Sequence, residues 1–246
     1  MSYSDDELKI FSRQFILKDF SEKNISILEK TKISIVGLGG IGCPLAMYLI
    51  CSGIKNIKLI DGDNIELSNL NRQILFSTDD IGKKKVEVAK NKLLKLNPYC
   101  QINSISKNIN HLNLNYLLNS SIVIDSSDSW ESMKIVNEYC VKKSIPFISA
   151  SVVGFDIEVA LFENKKNNHL CLNCLFPNKN DVNLPRCDTV GISGIAAGMA
   201  GLIAAQKTVN YLINLKKESN MLFLSNALNG DLQKIILKQN YNCYLN

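Results

Sequence analysis

Ile33-Ser34-Ile35-Val36-Gly37-Leu38-Gly39-Gly40-Ile41-Gly42 is the stretch that decides the fold. Its first four residues read as a buried strand. The six that follow fit G-x-G-x-x-G. Gly37 allows a tight turn, Gly39 lets the backbone approach a phosphate, and Gly42 permits close packing of helix on strand. A helix over 43–52 follows, and its N-terminus offers free N–H groups to an anion. Ile57-Lys58-Leu59-Ile60 is a second strand, with Asp61 at its end. An acid there can accept hydrogen bonds from ribose hydroxyls. Asn69-Leu70-Asn71-Arg72-Gln73 comes next, a polar and basic run that a dinucleotide site does not need.

Working outward, residues 6–30 read as one helix with apolar positions at Leu8, Phe11, Phe15, Ile16 and Phe20. Further helices are expected over 81–96, 111–118, 132–143 and 194–215, the last with small residues on much of one face. Strands are expected over 101–105, 121–125, 146–150, 156–162, 221–224 and 234–238. Residues 171–187 read as loop. Strands and helices alternate up to residue 150, which implies a Rossmann-like, doubly wound and mostly parallel α/β sheet. The pattern then changes to an antiparallel C-terminal extension. No linker or repeat interrupts the chain, so residues 1–246 are expected to form a single domain.

At 246 residues the chain can bury a sizeable core. Apolar content of 46% and charged content of 21% are those of an ordinary globular protein. The net charge of +5 is spread out, and the densest run, Lys83-Lys84-Lys85, reads as a solvated helix start, so no nucleic-acid partner is expected. The acidic N-terminus has no apolar core of a signal peptide, and the Gly/Ala-rich tract at 191–205 is too short to span a bilayer. The expectation is a cytoplasmic enzyme without a membrane partner. There are only two histidines, His111 and His169, which disfavours a reaction that needs an imidazole base.

Of the eight cysteines, Cys43, Cys51, Cys100 and Cys140 read as small core residues. Cys171-Leu172-Asn173-Cys174 reads as half of a tetrahedral zinc site. Cys243 is placed to join it. A second pair would need a cysteine at 246, where the chain has Asn246, so a complete four-cysteine site is not supported. His169, Cys187 or the terminal carboxylate remain as fourth ligands, with a site that holds no zinc as the alternative. Cys187 follows Arg186, which favours a thiolate; an ordinary loop cysteine is the equal alternative. Asp125 and Asp128 flank the end of a central strand, where ligands collect in open α/β sheets. A carboxylate there can hold Mg²⁺ on phosphates, against a plain turn or N-cap role. Arg72 and Lys85 supply charge for a reaction at phosphorus, and Asn69 and Gln73 neutral hydrogen bonds.

Taken together, these residues resemble the ThiF/MoeB/HesA family, bacterial relatives of ubiquitin-activating enzymes. The resemblance covers nearly the whole chain: Arg13-Gln14, Val36 to Gly42, Asp61-Gly62-Asp63, Ser68 to Gln73, Gly82 through Lys85-Val86, Asn97-Pro98, Asp125 to Asp128, Ser149-Ala150-Ser151 and Cys171-x-x-Cys174. The runs Pro146–Gly154, Cys174-Leu175-Phe176-Pro177 and Arg186-Cys187 look more like ThiF than MoeB. The resemblance implies ATP-dependent adenylation of the C-terminal Gly-Gly carboxylate of a ubiquitin-like sulfur carrier protein, with release of pyrophosphate, for sulfur incorporation in thiamine or molybdenum cofactor biosynthesis. A carboxylate nucleophile fits the scarcity of histidine. By the same resemblance ATP is held by Gly37, Gly39, Gly40, Gly42, Asp61, Asp63, Asn69, Arg72, Gln73, Lys85 and Asp128. Asp61 takes the ribose, Asn69, Arg72 and Lys85 the phosphates, and Asp128 the Mg²⁺. Arg13 reaches into the partner's site of a homodimer. Cys187 matches a cysteine able to link covalently to the carrier or to transfer sulfur. Cys171 and Cys174 match one half of the family's zinc site, with Cys243 as the third expected ligand, and the chain departs from the family at the second cysteine pair. With no rhodanese-like segment, the sulfur donor is expected to be a separate protein such as a cysteine desulfurase.

Three rival readings remain. Relatives that adenylate a peptide C-terminus in microcin-type biosynthesis carry an added N-terminal recognition domain, which the short lead before the first strand here argues against. An NAD-dependent oxidoreductase leaves Asn69–Gln73, Lys85 and the cysteine pair unexplained. A non-catalytic scaffold would not need Arg13, Arg72, Lys85 and Asp128 together.

Overall fold

A computed structural model describes residues 5–165, 170–177, 191–215, 220–240, 243 and 245. One sheet of eight strands runs through it in the order β3-β2-β1-β4-β5-β6-β7-β8. The strands are β1 Lys32–Val36, β2 Asn56–Ile60, β3 Gln101–Ile105, β4 Ile122–Asp125, β5 Phe147–Val153, β6 Asp156–Phe162, β7 Met221–Asn226 and β8 Leu232–Ile236. β1 to β5 are parallel, and β5 onward is antiparallel. This is the mostly parallel sheet with an antiparallel extension expected from the sequence. The helices are α1 Asp5–Phe15, α2 Glu22–Lys30, α3 Gly42–Cys51, α4 Lys85–Leu96, α5 Trp130–Lys143, α6 Leu172–Leu175 and α7 Gly194–Leu212.

Apolar layers cover both faces. On one, α3, α4 and α7 pack over Ile33, Ile35, Leu59 and Ile124. On the other, α5 packs over Val36, Val123 and Phe147. The small residues of α7 have a physical use: a Cβ at Gly201 would stand 2.8 Å from the Pro44 ring and press on the Ile41 carbonyl. α7 therefore lies directly on the first turn of α3 and presses the glycine loop into place. Among the described residues no helix is long and apolar enough to cross a membrane.

Several boundaries differ from expectation. The helix expected over 6–30 is two, because Ser21 starts a new one: its side chain accepts from Asn24 N–H, and Asn24 Nδ2 donates to Asp19 O. The helix expected from 81 begins at Lys85. Gly82 has φ +83, and its N–H and that of Lys85 bond to Ile65 O and Asp63 O, so Lys83 and Lys84 precede the helix instead of forming its face. The helix expected over 111–118 is only a 3-10 turn, Leu114–Leu117. Asparagine side chains take the local backbone there: Asn113 Oδ1 accepts from Asn110 N–H and Asn110 Oδ1 from Leu112 N–H. The last strand is Leu232–Ile236, two residues earlier than expected, and Leu172–Leu175 forms a short helix within the expected loop. Cys43, Cys100 and Cys140 are buried as expected, but Cys51 is exposed, because α3 ends there and its last residue turns outward.

Candidate active site at the carboxyl ends of the parallel strands

The glycine loop follows β1 directly. Gly37 has φ +87, and a Cβ on it would meet Ser127 backbone at 2.7 and 2.8 Å. Gly42 leaves no room either, because a Cβ there would run into the Gly37 carbonyl. The neighbour that fills this space is the turn after β4. Ser126 N–H and Oγ both donate to Val36 O, at 2.9 and 3.2 Å, and Ser126 Oγ also donates to Gly37 O at 3.0 Å. No side chain caps α3, so its first turn stays open to an anion.

Asp61, at the end of β2, lies against this loop. Its Oδ2 accepts from Leu38 N–H at 2.7 Å and its Oδ1 from Asp63 N–H at 2.9 Å. Burial pushes its pKa up, opposed by nearby Lys85 and by these two N–H donors. The carboxylate thus shapes the loop and retains lone pairs for further donors. Lys85, the first residue of α4, is buried, with Nζ 2.9 Å from Oδ2 of the largely exposed Asp63.

The string from Asn69 to Gln73 turns back over the glycine loop. Asn69 is buried, and its Oδ1 accepts from Glu66 N–H at 3.1 Å, which closes the short 3-10 turn Leu67–Asn69. Arg72 is exposed at its tip, with Nη1 donating to Ser68 O at 2.8 Å and Asn71 Oδ1 at 3.0 Å. Its stem runs between two glycines: a Cβ at Gly40 or Gly194 would come within 3.3 Å of Arg72 carbons. Gln73 is buried, and its Oε1 has no partner among the described residues.

The structure separates the two acids after β4. Asp128 is exposed. Asp125 is fully buried, with Oδ1 accepting from Ser127 N–H at 2.9 Å and Ser127 Oγ at 2.7 Å, and Oδ2 without a partner among the described residues. Burial pushes the Asp125 pKa up to about 6, partly countered by Ser127. Asp125 therefore does not flank the crevice with Asp128; it supports from below the turn on which Asp128 stands. Sequence reading missed Ser126 and Ser127, whose signal was faint: two hydroxyls straight after an acid at a strand end. It also missed Asn108, which follows β3. Its Oδ1 accepts from Gly62 N–H at 3.0 Å, and a Cβ at Gly62 would run into it.

Arg13 lies in the last turn of α1 and is exposed. Cys171, Cys174 and Cys243 do converge, with all three Sγ atoms within 4.8 Å of one another. Cys171 Sγ is 3.9 Å from Cys174 Sγ and 3.7 Å from Cys243 Sγ. Sulfurs about 2.3 Å from a tetrahedral zinc stand about 3.8 Å apart, so the spacing fits that ion. Sharing of thiol protons with Cys171 draws Cys174 down to about 5 and drives Cys171 well up. Leu172 N–H donates to Asn137 Oδ1 of α5 at 3.0 Å, and Trp130 meets Phe176 edge-on at 5.2 Å, so the cysteine loop is docked along α5. Cys187 and His169 lie outside the described residues, as does Asn246. A cavity of about 500 Å³ lies against the first halves of β1, β2 and β3, beside Ser34, Lys58 and Asn103 and not at the carboxyl ends of the strands.

Fold and site define a nucleotide-binding α/β enzyme whose glycine loop is faced by an arginine and backed by a buried lysine. The chain belongs to the ThiF family, whose model matches residues 11–245. It is 28% identical over 249 residues to the sulfur carrier protein adenylyltransferase of Thermus thermophilus, covering 99% of this chain and 92% of that one. It is 29% identical to the sulfur carrier protein ThiS adenylyltransferase of Escherichia coli, covering 98% and 95%. Among solved structures it is similar to Escherichia coli MccB with AMPCPP and MccA, at 26% identity and a TM-score of 0.84, covering 99% of this chain and 74% of that one.

Proposed function

We propose that the protein adenylates the C-terminal Gly-Gly carboxylate of a ubiquitin-like sulfur carrier at the expense of ATP, releasing pyrophosphate. The observation that carries this is the gathering of an open helix N-terminus, half-buried Arg72 and buried Lys85 beside the Asp61 carboxylate. Relatives of nearly the same length are named for this reaction. The carrier carboxylate attacks the α-phosphorus, the bond from that phosphorus to the α,β-bridging oxygen breaks, and pyrophosphate leaves with the electron pair, so no general base is required. Asp61 accepts from the ribose hydroxyls. The glycine loop, through Gly37, Gly39, Gly40 and Gly42, admits the phosphates to the first turn of α3. Asn69, Arg72 and Lys85 face the charge that builds on the transferring and leaving oxygens. Asp63 holds Lys85, and Gln73 offers a buried carboxamide beside the loop.

Asp128 is an exposed, hard oxygen ligand at the strand ends and suits Mg²⁺, which when bound supplies positive charge to the phosphates. Cys171, Cys174 and Cys243 suit zinc, which would join the C-terminus to the α5 side. The whole chain acts as one adenylation domain. Two copies pair, with Arg13 of each reaching the other's site. Ile16 just after α1, Tyr48 on α3 and Leu202 on α7 are exposed apolar residues such a pairing would cover. Cys187 serves a later transfer step, fed by a separate sulfur donor such as a cysteine desulfurase. The setting is cytoplasmic sulfur incorporation in thiamine or molybdenum cofactor biosynthesis.

The test is ATP–pyrophosphate exchange with Mg²⁺ and a panel of Gly-Gly-ended sulfur carriers. Exchange that depends on one carrier supports the proposal and points to the pathway. ATP binding without exchange by any carrier rejects the carrier as acyl donor, and absence of ATP binding rejects adenylation.

A further inference from the structure

α1 touches the rest of the chain through few groups, and one of them is a carboxylate. Only Glu7 and Phe11 of its residues are buried. A buried glutamate on a short surface helix is uncommon unless it is paired. Glu7 Oε1 lies 2.5 Å from the Nζ of Lys55, in the turn between α3 and β2. The same ammonium lies 2.7 Å from Oε1 of Glu29, near the end of α2. Both carboxylates are about nine-tenths buried, so one ammonium joins α1, α2 and the α3–β2 corner in a largely dry place. A second tie lies at the same corner, where Gln14 Nε2 donates to Ser52 O at 2.9 Å.

Glu7, Phe11 and Gln14 are spaced i, i+4, i+7 and so form one face of α1. Arg13 falls off that face and is exposed. Buried ion pairs are weak sources of net stability, since apolar residues of similar volume often serve as well. Their directional strength lies in fixing one arrangement. Removing Lys55 would leave two buried carboxylates facing each other across the α1–α2 junction, and their repulsion would push α1 away.

We infer that Lys55 is a positioning residue which, by holding Glu7 and Glu29 together, fixes the helix that presents Arg13 to the neighbouring protomer's site. This rests on the proposal above that Arg13 acts across the dimer.

The experiment uses the whole 246-residue chain in two measurements. The first is deuterium uptake of the 5–15 segment, which needs no substrate. Lys55→Met is expected to raise it while the uptake of β1 and β4 stays unchanged, and Lys55→Arg, which can still bridge both acids, is expected to restore protection. Unchanged uptake in Lys55→Met overturns the clamp. The second is ATP–pyrophosphate exchange in a double-mutant cycle. Arg13→Ala and Lys55→Met are each expected to lower the rate about tenfold, and the double variant to fall no further than Arg13→Ala alone, because one change acts through the other. Losses that multiply overturn the inference. Wild-type exchange in Arg13→Ala overturns the trans-arginine proposal instead, while α1 uptake still decides the clamp. Should Lys55→Met fail to fold, Glu7→Gln keeps the Lys55–Glu29 pair and is read the same way.

Discussion

The nucleotide end of the sheet and the cysteine cluster are built on opposite plans. At the carboxyl ends of β1, β2 and β4, charged groups stand at the surface on backbone that is tightly fitted beneath them. Asp128 is exposed and Arg72 half-buried, while the Gly37–Gly42 loop, the Ser126–Ser127 turn and Asp125 below are locked to one another. At the cysteine cluster the reactive groups themselves are the packing. Cys171 and Cys243 are buried, meet across 72 positions of sequence, and sit with Val141 and Leu245 in a small apolar cluster of their own. Changing a charge at the first site should therefore alter chemistry and spare the fold. Changing a thiol at the second should alter the fold and spare chemistry.

The largest effect expected follows from the first half of that contrast. Asp128→Ala should lower ATP–pyrophosphate exchange by about 100-fold or more, the scale seen when one stabilising group is lost from a charged transition state. Its melting temperature should stay close to that of the parent, because an exposed carboxylate contributes little to stability. Near-normal exchange would remove Asp128 from the site, and a large fall in melting temperature would break the contrast. Cys171→Ser is the reciprocal case. Metal analysis should find zinc lost from the purified protein, and the melting temperature should drop by several degrees, because metal binding counts directly toward folding free energy. The KM for ATP should be nearly unchanged. A variant that kept its zinc and stability but lost ATP binding would reverse the assignment of the two regions.

A finer effect separates Asp128 from the acid beneath it. Asp125 has an ordinary value near 3.8 when unfolded and is raised to about 6 in the fold by burial. Between pH 4 and 6 the folded protein holds a proton that the unfolded chain has lost, so its contribution falls as the pH rises through that window. The change is on the order of 3 kcal/mol. Asp125→Asn cannot ionise, so the fall between pH 4 and 6 should be smaller in that variant than in the parent, as read from urea midpoints at each pH. Equal slopes would mean that Asp125 titrates normally and is less enclosed than it looks.

How far each region can be read from sequence follows from the same difference. Gly37, Gly39, Gly42 and Asp61 announce themselves because turn, helix start and strand end are contiguous, and backbone demands of that kind leave local marks. Cys171 and Cys174 do so because ligand spacing on one loop is local too, and Cys243 could be added only as a remaining thiol. The support under the site was hidden. Ser126 and Ser127 matter through bonds to Gly37 O and Asp125 Oδ1, and the first of these crosses 89 positions. Nothing in their type foretells that partner. The asparagine-rich crossover near 111 misled for the reverse reason: its apolar spacing suits a helix, while its side chains compete for the very N–H groups a helix would use. α1 and α2 read as one helix in the sequence because Leu8 to Phe20 keep helical period right up to the Ser21 cap.

Cys187 belongs to neither plan, and the smallest effect is expected there. The carrier carboxylate attacks phosphorus without a thiol, so Cys187→Ala should leave carrier-dependent ATP–pyrophosphate exchange within about twofold of the parent, inside ordinary surface-substitution scatter. Its consequence should appear only after adenylate formation, as loss of a covalent protein–carrier adduct on non-reducing gels or of sulfide transferred to the carrier terminus. The sequence supplies the reason: Arg186 directly precedes Cys187, and a cation beside a cysteine favours the thiolate, which in the proposed reaction attacks the carrier acyl-adenylate and expels AMP. A loss of exchange as deep as that of Asp128→Ala would put the thiol inside the adenylation step. The first site would then need a nucleophile that neither its geometry nor its histidine-poor composition calls for.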